Sequence, residues 1–393
     1  MKRTGAALLL ACVLTAFPVR VTAQTSSVRD VLSVLMTNQD VPTNDFVRDR
    51  QAAEATRDTV ARALLVDLGT LPITTSSGGF SYRLNSSLGT VERVTQSFGP
   101  FFVDRATTAG RNQASVSVTY QYSNFVNLDG LDLRDGSLQT TANKFRDEAA
   151  PFDVAALKLK LQTSTVTGSA NYGLADALDI GVAVPVVYVS LSGELVDTYR
   201  GTSVVQARGK ANSFGIADVA IRSKLRLISD AGVGLAAAFE ARLPTGSPEN
   251  LRGAGKAGYT ASLIGSAGSG AIETHVNASM AFGGVSREEG AAAAFVVAPT
   301  SRLTLSGEAL FRRVDQLAGI QSVAQPHPSI AGVDTIRLLP GASGLTTATV
   351  VGGVRLNLTS TLLLNAHVIV PVTRRGLTTR ATPSVSMDYS FVH

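Results

Sequence analysis

From Ser115 onward the chain runs in short stretches in which apolar and polar residues alternate, a period of two that belongs to strands and not to helices. Val116, Val118, Tyr120 and Tyr122 fall on one face, and Ser115, Ser117, Thr119 and Gln121 on the other, because successive side chains of a strand point to opposite sides. The longest apolar stretch after the N-terminus, 180–189, is interrupted by Gly181 and Pro185 and falls short of the ~20 residues a helical crossing needs. Mean hydropathy is nonetheless positive, at +0.18. A chain that is apolar on average but only half apolar in each strand suits a closed β-barrel in lipid, where every backbone group must be paired within the protein.

An export signal agrees with this. Lys2 and Arg3 form a positive start, residues 5–17 are apolar, and Val21, Thr22 and Ala23 supply the small residues of a cleavage site, so the mature chain is expected to begin at Gln24. Leu9, Leu10, Ala11 and Cys12 offer a competing lipid-attachment reading, but the apolar run continues past Cys12 to Phe17. Cys12 is the only cysteine, so the mature chain is expected to have no disulfide, no thiolate metal ligand and no cysteine nucleophile. Of the 35 basic and 30 acidic residues, Lys2, Arg3 and Arg20 leave with the signal. The near-neutral remainder gives no argument for a nucleic-acid partner.

Residues 28–37 and 45–68 have helical spacing, with Asp45 as a candidate N-cap. Gly78 and Gly79 precede a short hairpin over 80–84 and 91–95, below the roughly 9–11 residues of a crossing strand. Residues 24–112 are therefore expected to form a periplasmic or lumen-inserted plug, mainly helical, ahead of a barrel over 113–393. Twelve candidate strands follow, at 114–126, 153–173, 178–193, 213–228, 232–245, 258–267, 271–283, 291–299, 302–314, 345–358, 361–373 and 383–393. Fourteen result if the 80–95 hairpin joins the wall. Tight connections such as 174–177 and 229–231 alternate with longer polar ones, notably 127–152, 194–212 and 315–344. That alternation is the mark of an up-and-down outer-membrane barrel with short periplasmic turns.

With the apolar sets assigned to lipid, Leu157, Leu159 and Leu161 are expected outside and Lys158, Lys160 and Gln162 inside. Tyr172, Tyr389 and Phe391 are placed at the periplasmic interface, and Phe125, Phe214, Tyr259, Phe282 and Phe311 at the outer one, although Trp is absent. Val385, Met387, Tyr389 and Phe391 form the outward row that a barrel-insertion machinery would read.

A run of residues resembles a known family. The segment from Asn171 through Tyr172, Gly173, Leu174, Ala175 and Asp176 to Pro185, then Gly215, Ile216, Ala217 and Asp218 with Lys224, then Leu243, Pro244, Thr245 and Gly246, is similar to outer-membrane proteins labelled for the meta-pathway of phenol degradation. The likeness covers roughly 150–270, and it departs from the family in having Gly-Ile-Ala-Asp for Gly-x-Gly-Asp and Leu225 after the lysine. It implies an outer-membrane barrel and a transport role near the breakdown of aromatic compounds. The residues themselves read as turn geometry, with proline at a rim where it costs no ladder hydrogen bond.

The inward register collects charge. Lys158, Lys160, Arg222, Lys224, Arg226, Glu240, Arg242, His275, Arg312 and Arg355 are the candidate solute-contacting residues, beside Asp179, Glu273, Glu308 and Asp388. They form either a weakly anion-favouring pore wall or a salt-bridged, space-filling interior. The turn at 229–231 sets Arg222 opposite Glu240, with Asp218 diagonal to Arg242. No nucleophile elbow, zinc helix or phosphate loop is present, and the one pairing worth weighing for hydrolysis is His275 and Asn277 with Ser262. No cofactor or metal is implied. The expectation is a passive channel for a small, hydrophobic or aromatic solute, its N-terminal helices gating the periplasmic mouth, with outer-membrane lipid as surroundings. The alternative is a structural or adhesion barrel with no permeant.

Overall fold

The computed structural model describes residues 27–36, 60–61, 82–85, 90–93, 96–230, 232–327 and 329–391. The export signal with Cys12, the helix expected over 45–68 apart from Val60 and Ala61, and the last two residues lie outside these. Among the described residues, the helix α1 (Val28–Met36) and a separate two-stranded sheet of β1 (Tyr82–Asn85) and β2 (Thr90–Arg93) precede the barrel. Among the described residues the hairpin pairs only with itself and adds no strand to the wall.

The barrel strands and their rim pieces are β3 (Ala114–Leu128), β4 (Leu131–Asp132), β5 (Gln139–Phe145), β6 (Asp153–Ala175), β7 (Leu178–Tyr199), β8 (Thr202–Ile216), β9 (Val219–Asp230) and β10 (Val233–Leu243). They continue with β11 (Gly258–Ser269), β12 (Ile272–Gly283), β13 (Glu288–Thr300), β14 (Leu303–Pro326), β15 (Val333–Thr359), β16 (Leu362–Pro371), β17 (Leu377–Thr379) and β18 (Thr382–Phe391). Every wall pair is antiparallel, and β18 pairing with β3 closes the ring. β8 and β9 are two lengths of one crossing, since both pair with β7, and β4, β5 and β17 belong to the rim. The wall is thus a closed barrel of twelve strands.

The break between β8 and β9 explains two of the family-like motifs. The Asp218 carboxylate accepts the Gly246 N–H at 3.0 Å and the Ala254 N–H at 2.7 Å, while the Thr245 hydroxyl donates to the Ala217 carbonyl at 2.7 Å. The two motifs latch the β10–β11 loop to the wall, which is the turn-geometry reading.

Two expected loops are hairpins. Residues 194–212 belong to β7 and β8, whose tip is Arg200 and Gly201 with φ of +47° and +85°, a turn whose twist suits two paired strands. Residues 315–344 are largely the outer lengths of β14 and β15. β5 bridges β15 and β6 above the shorter β3, β16 and β18, so the outer rim carries a crest running β14, β15, β5, β6, β7, β8.

Below the crest the outer surface is apolar: Ile180, Val182, Ile221, Leu225, Leu263, Val276, Val350, Val354, Leu364 and Val368 are all exposed there. A water-facing surface would not carry so continuous an apolar band, whereas a bilayer requires one. Phe239, Tyr259 and Phe282 stack in a row at the long-loop end, ring centroids 6.1 and 5.7 Å apart, and Tyr389 and Phe391 meet edge to face at the short-turn end. Phe125 is an exception to the expected girdle. It is inward and buried, since β3 alternation that turns Tyr120 and Tyr122 outward turns residue 125 inward.

The crest carries its own titration. Asp153 and Asp197 are buried near its tip, Asn143 donates to Asp153 at 2.8 Å, and Gln206 donates to Asp197 at 3.0 Å. Burial, with the neighbouring Asp197 carboxyl, raises Asp153 to about 6. A carboxyl whose folded value exceeds its unfolded one near 3.8 stabilises the fold below that value, and the contribution is lost as pH rises through about 6. Asp153→Asn should therefore flatten the pH dependence of amide exchange in β5 between pH 4 and 6; an unchanged profile would remove the carboxyl pair as its cause.

Candidate functional site

The lumen has two levels with opposite chemistry. In the half toward the short turns its walls are polar and charged, and residues 97–110 cross it as an irregular strap before the chain enters β3. The strap is tied to strands all around the ring. Glu308 on β14 accepts three successive backbone N–H groups, from Phe101, from Phe102 at 2.8 Å and from Val103 at 2.9 Å. A run of N–H groups turned toward one point forms a natural anion seat, here filled by the protein's own carboxylate.

Arg355 on β15 donates to the Pro100 carbonyl at 2.6 Å and to Asp388 at 3.1 Å, and its guanidinium lies 4.4 Å from the Phe101 ring centre. His367 on β16 packs against Phe101 at 4.3 Å. Further along, Asp104 pairs with Arg222 on β9, and the Asn277 amide brackets the Asp104 backbone. Lys224 donates to the Arg105 carbonyl at 3.3 Å, Ser266 accepts the Ala106 N–H at 2.8 Å, and Asp179 accepts the Ala109 N–H at 2.9 Å. Isolated charges this deep would be costly, and each is offset by a strap partner or a wall partner.

Toward the crest the polarity inverts. Leu157, Leu159 and Leu161 of β6 and Val187, Val189, Leu191 and Leu195 of β7 point inward and are buried. Unbroken register along β6 and β7 places them on the same face as Asn171 and Asp179 lower down. They enclose the apolar face of α1, formed by Val28, Val31, Leu32, Leu35 and Met36, with Val60 beside it. The helix sequence puts those residues at helical spacing on one stripe, and Asp30 accepts the Ser27 N–H at 2.8 Å at its start. Gly193 and Gly209 make the seat: a Cβ on either would come within 3 Å of Leu35 or Val31 side-chain atoms. Gly209→Leu should lift α1 away, at a cost of about 1–3 kcal/mol from overpacking. Protease cleavage near Val28–Met36 should accelerate while the barrel stays heat-modifiable; unchanged cleavage would place α1 elsewhere.

Several sequence expectations change. Lys158 and Lys160 do not line the lumen: they project from the outer face of the crest, where no lipid demands an apolar surface and the apolar side is needed within for α1. Gln162 is turned outward with them, and the leucines between them are turned inward. α1 lies in the outer half of the lumen, next to the β10–β11 loop through Val28 N–H and Asn250 at 3.4 Å, and not at the periplasmic mouth. The other eight candidates, Arg222, Lys224, Arg226, Glu240, Arg242, His275, Arg312 and Arg355, keep the inward register. Arg222 does stand opposite Glu240. Arg222 bonds Asp104, however, and Glu240 bonds Arg242 at 2.9 Å. Arg312 holds Glu288 with two bonds of 2.7 and 2.8 Å near the outer rim.

His275 accompanies Ser266, not Ser262. His275 Nδ1 and Ser266 Oγ are 2.8 Å apart, and Nε2 is 3.5 Å from Glu273. Ser262 pairs with Ser279, four positions along, or roughly 13 Å away. Because Ser266 also accepts the Ala106 N–H under the strap, this trio serves as a strap anchor. Phe101, Asp104 and His367 are lumen residues that the alternation pattern did not single out, whereas Glu308 was legible as an inward charge but not as the anchor of the strap.

No family profile and no curated protein matches the chain. Among solved structures it is similar to an outer membrane channel from Pseudomonas putida F1, at 12% identity and TM-score 0.48 over 73% of this chain and 98% of that one. It is also similar to the KdgM porin, at 8% identity and TM-score 0.36 over 70% of this chain and 99% of that one. A third likeness is to the β domain of the Bordetella autotransporter BrkA, at 9% identity and TM-score 0.36 over 71% of this chain and all of that one.

Proposed function

We propose that this protein is a passive outer-membrane channel for a small hydrophobic or aromatic solute, closed at rest by its own N-terminal segment. The observation that carries this is the change of lumen chemistry with depth: an apolar outer chamber above a charged level crossed by a strap. An apolar solute entering the outer chamber replaces contacts with α1 by similar contacts of its own, so the exchange costs little in hydration. Passage then requires the strap to leave its anchors at Glu308, Arg355 and Arg222. The family-like motifs add the aromatic character of the solute. Export to an outer membrane fits the N-terminal signal and the apolar girdle.

A second reading has one observation in its favour, namely that both levels are filled by the chain itself, as suits a structural barrel with no permeant. Proteoliposomes separate the two. A channel should take up a small aromatic solute saturably, and Leu159→Glu, which places a charge in the outer chamber, should abolish uptake while leaving the barrel inserted. Absence of uptake by the wild-type protein and by a strap-free variant alike would favour the structural barrel.

A further inference from the structure

The outer face of the crest carries a concentration of positive charge that the lumen reading leaves without a role. Two rows run across three neighbouring strands: Lys160, Ser192 and Lys210 in register, then Lys158, Glu194 and Arg208 in register. With Arg134 beside them they surround an open basin of about 610 Å³, floored by Leu159, Gly193 and Gly209. Glu194 is the one acidic residue lining it among the described residues, 3.5 Å from Arg208 and 4.0 Å from Lys158. The basin therefore keeps a marked positive excess.

Its height is what identifies the partner. On the same three strands the outward row changes from apolar to polar at Tyr188, which is in register with Phe214 and Ser164. Phe214 at that level, and Ile180, Val182 and Ile216 below it, are exposed and apolar, as lipid-facing residues are. The basic rows begin four and six residues above Tyr188, roughly 13 and 20 Å along the strand, or about 10–15 Å above the membrane edge for a strand tilted ~40°. Because these side chains point away from the lumen, they meet whatever surrounds the barrel at headgroup height. In an outer membrane that is the phosphorylated sugar of lipopolysaccharide. Lys and Arg arrayed on a rigid sheet, with backbone and small residues as a floor, offer charge-assisted bonds to phosphate oxygens without ordering a loop.

We propose that this basin docks the phosphates of lipopolysaccharide, fixing the crest side of the barrel against the outer leaflet. The test uses the full-length protein folded in detergent, titrated with bisphosphorylated lipid A and with the same lipid A dephosphorylated. The wild type should bind the phosphorylated lipid about tenfold or more tightly, a preference that weakens with salt. The combined variant Lys158→Gln, Lys160→Gln, Arg208→Gln and Lys210→Gln should bind both lipids alike. Arg111→Gln with Arg302→Gln, at the opposite end of the barrel, should keep the preference. Heat-modifiable migration establishes that each variant is folded, so loss of the preference is not loss of the barrel. Equal binding of the two lipids by the wild type, a preference retained by the fourfold variant, or displacement of the lipid by inorganic phosphate at equal concentration would each overturn the proposal, the last by assigning the basin to a soluble anion.

Discussion

A protein lacking residues 24–110 should insert as a barrel and pass ions freely, whereas one lacking only residues 24–70 should remain nearly silent. The two lumen levels are obstructions in series, and current through elements in series is set by the tighter one. The shorter truncation removes α1 from the outer chamber but leaves the strap of residues 97–110 bound to Glu308, Arg355, Arg222 and Asp179. The longer one removes both. A twelve-stranded ring lies between eight-stranded barrels filled by side chains and 16-stranded porins with a water-filled bore. Cleared of its strap it should conduct modestly, not at full porin level. The wall should survive, because β3 begins at Ala114 and closes on β18 without strap contacts in its ladder. Single-channel recording decides the matter. Large openings after the shorter truncation would show that the strap does not close the pore, and silence after the longer one would show that the wall itself does.

The sequence carried the wall better than the interior, for physical reasons visible in particular residues. Period-two alternation specifies a strand wherever it occurs, so the twelve crossings and the Arg222 and Glu240 register were legible. The same period does not say which face is inside. The rule that apolar faces lipid holds only as high as the lipid does, and β6 crosses that limit. Its lower outward row includes Tyr172, while its upper inward row is Leu157, Leu159 and Leu161. Lys158 and Lys160 were misplaced by extending one environment along a strand 23 residues long. Phe125 went the same way, although its own alternation with Tyr120 already turned it inward. The strap was the least legible element. It has no periodicity, and its partners lie far along the chain, Glu308 being 205 to 207 residues from the backbone it holds. A local reading can place charges in a lumen but cannot pair them across it.

Glu308→Ala should have the largest effect of any single substitution on opening. One buried carboxylate receives the N–H groups of Phe101, Phe102 and Val103, and it stands near Arg355, which grips the same turn through Pro100. Bonds to a charged acceptor contribute about 1.5–3 kcal/mol each when made, and the donors left behind pay for desolvation when it is removed. Even a loss of ~3 kcal/mol in total would raise the population of a released strap about a hundredfold, at tenfold per ~1.4 kcal/mol. Openings that are rare in the wild type should then become frequent, with conductance per opening unchanged because the bore is the same. Glu288→Gln is the comparison: that carboxylate bonds Arg312 near the outer rim and touches no strap backbone, so its gating should stay at the wild-type rate. Arg355→Met, which removes the Pro100 bond and the cation over Phe101, should move in the same direction as Glu308→Ala. If Glu308→Ala folds, by its heat-modifiable migration, and opens no more often than Glu288→Gln, the strap is a fixed part of the wall and not a gate.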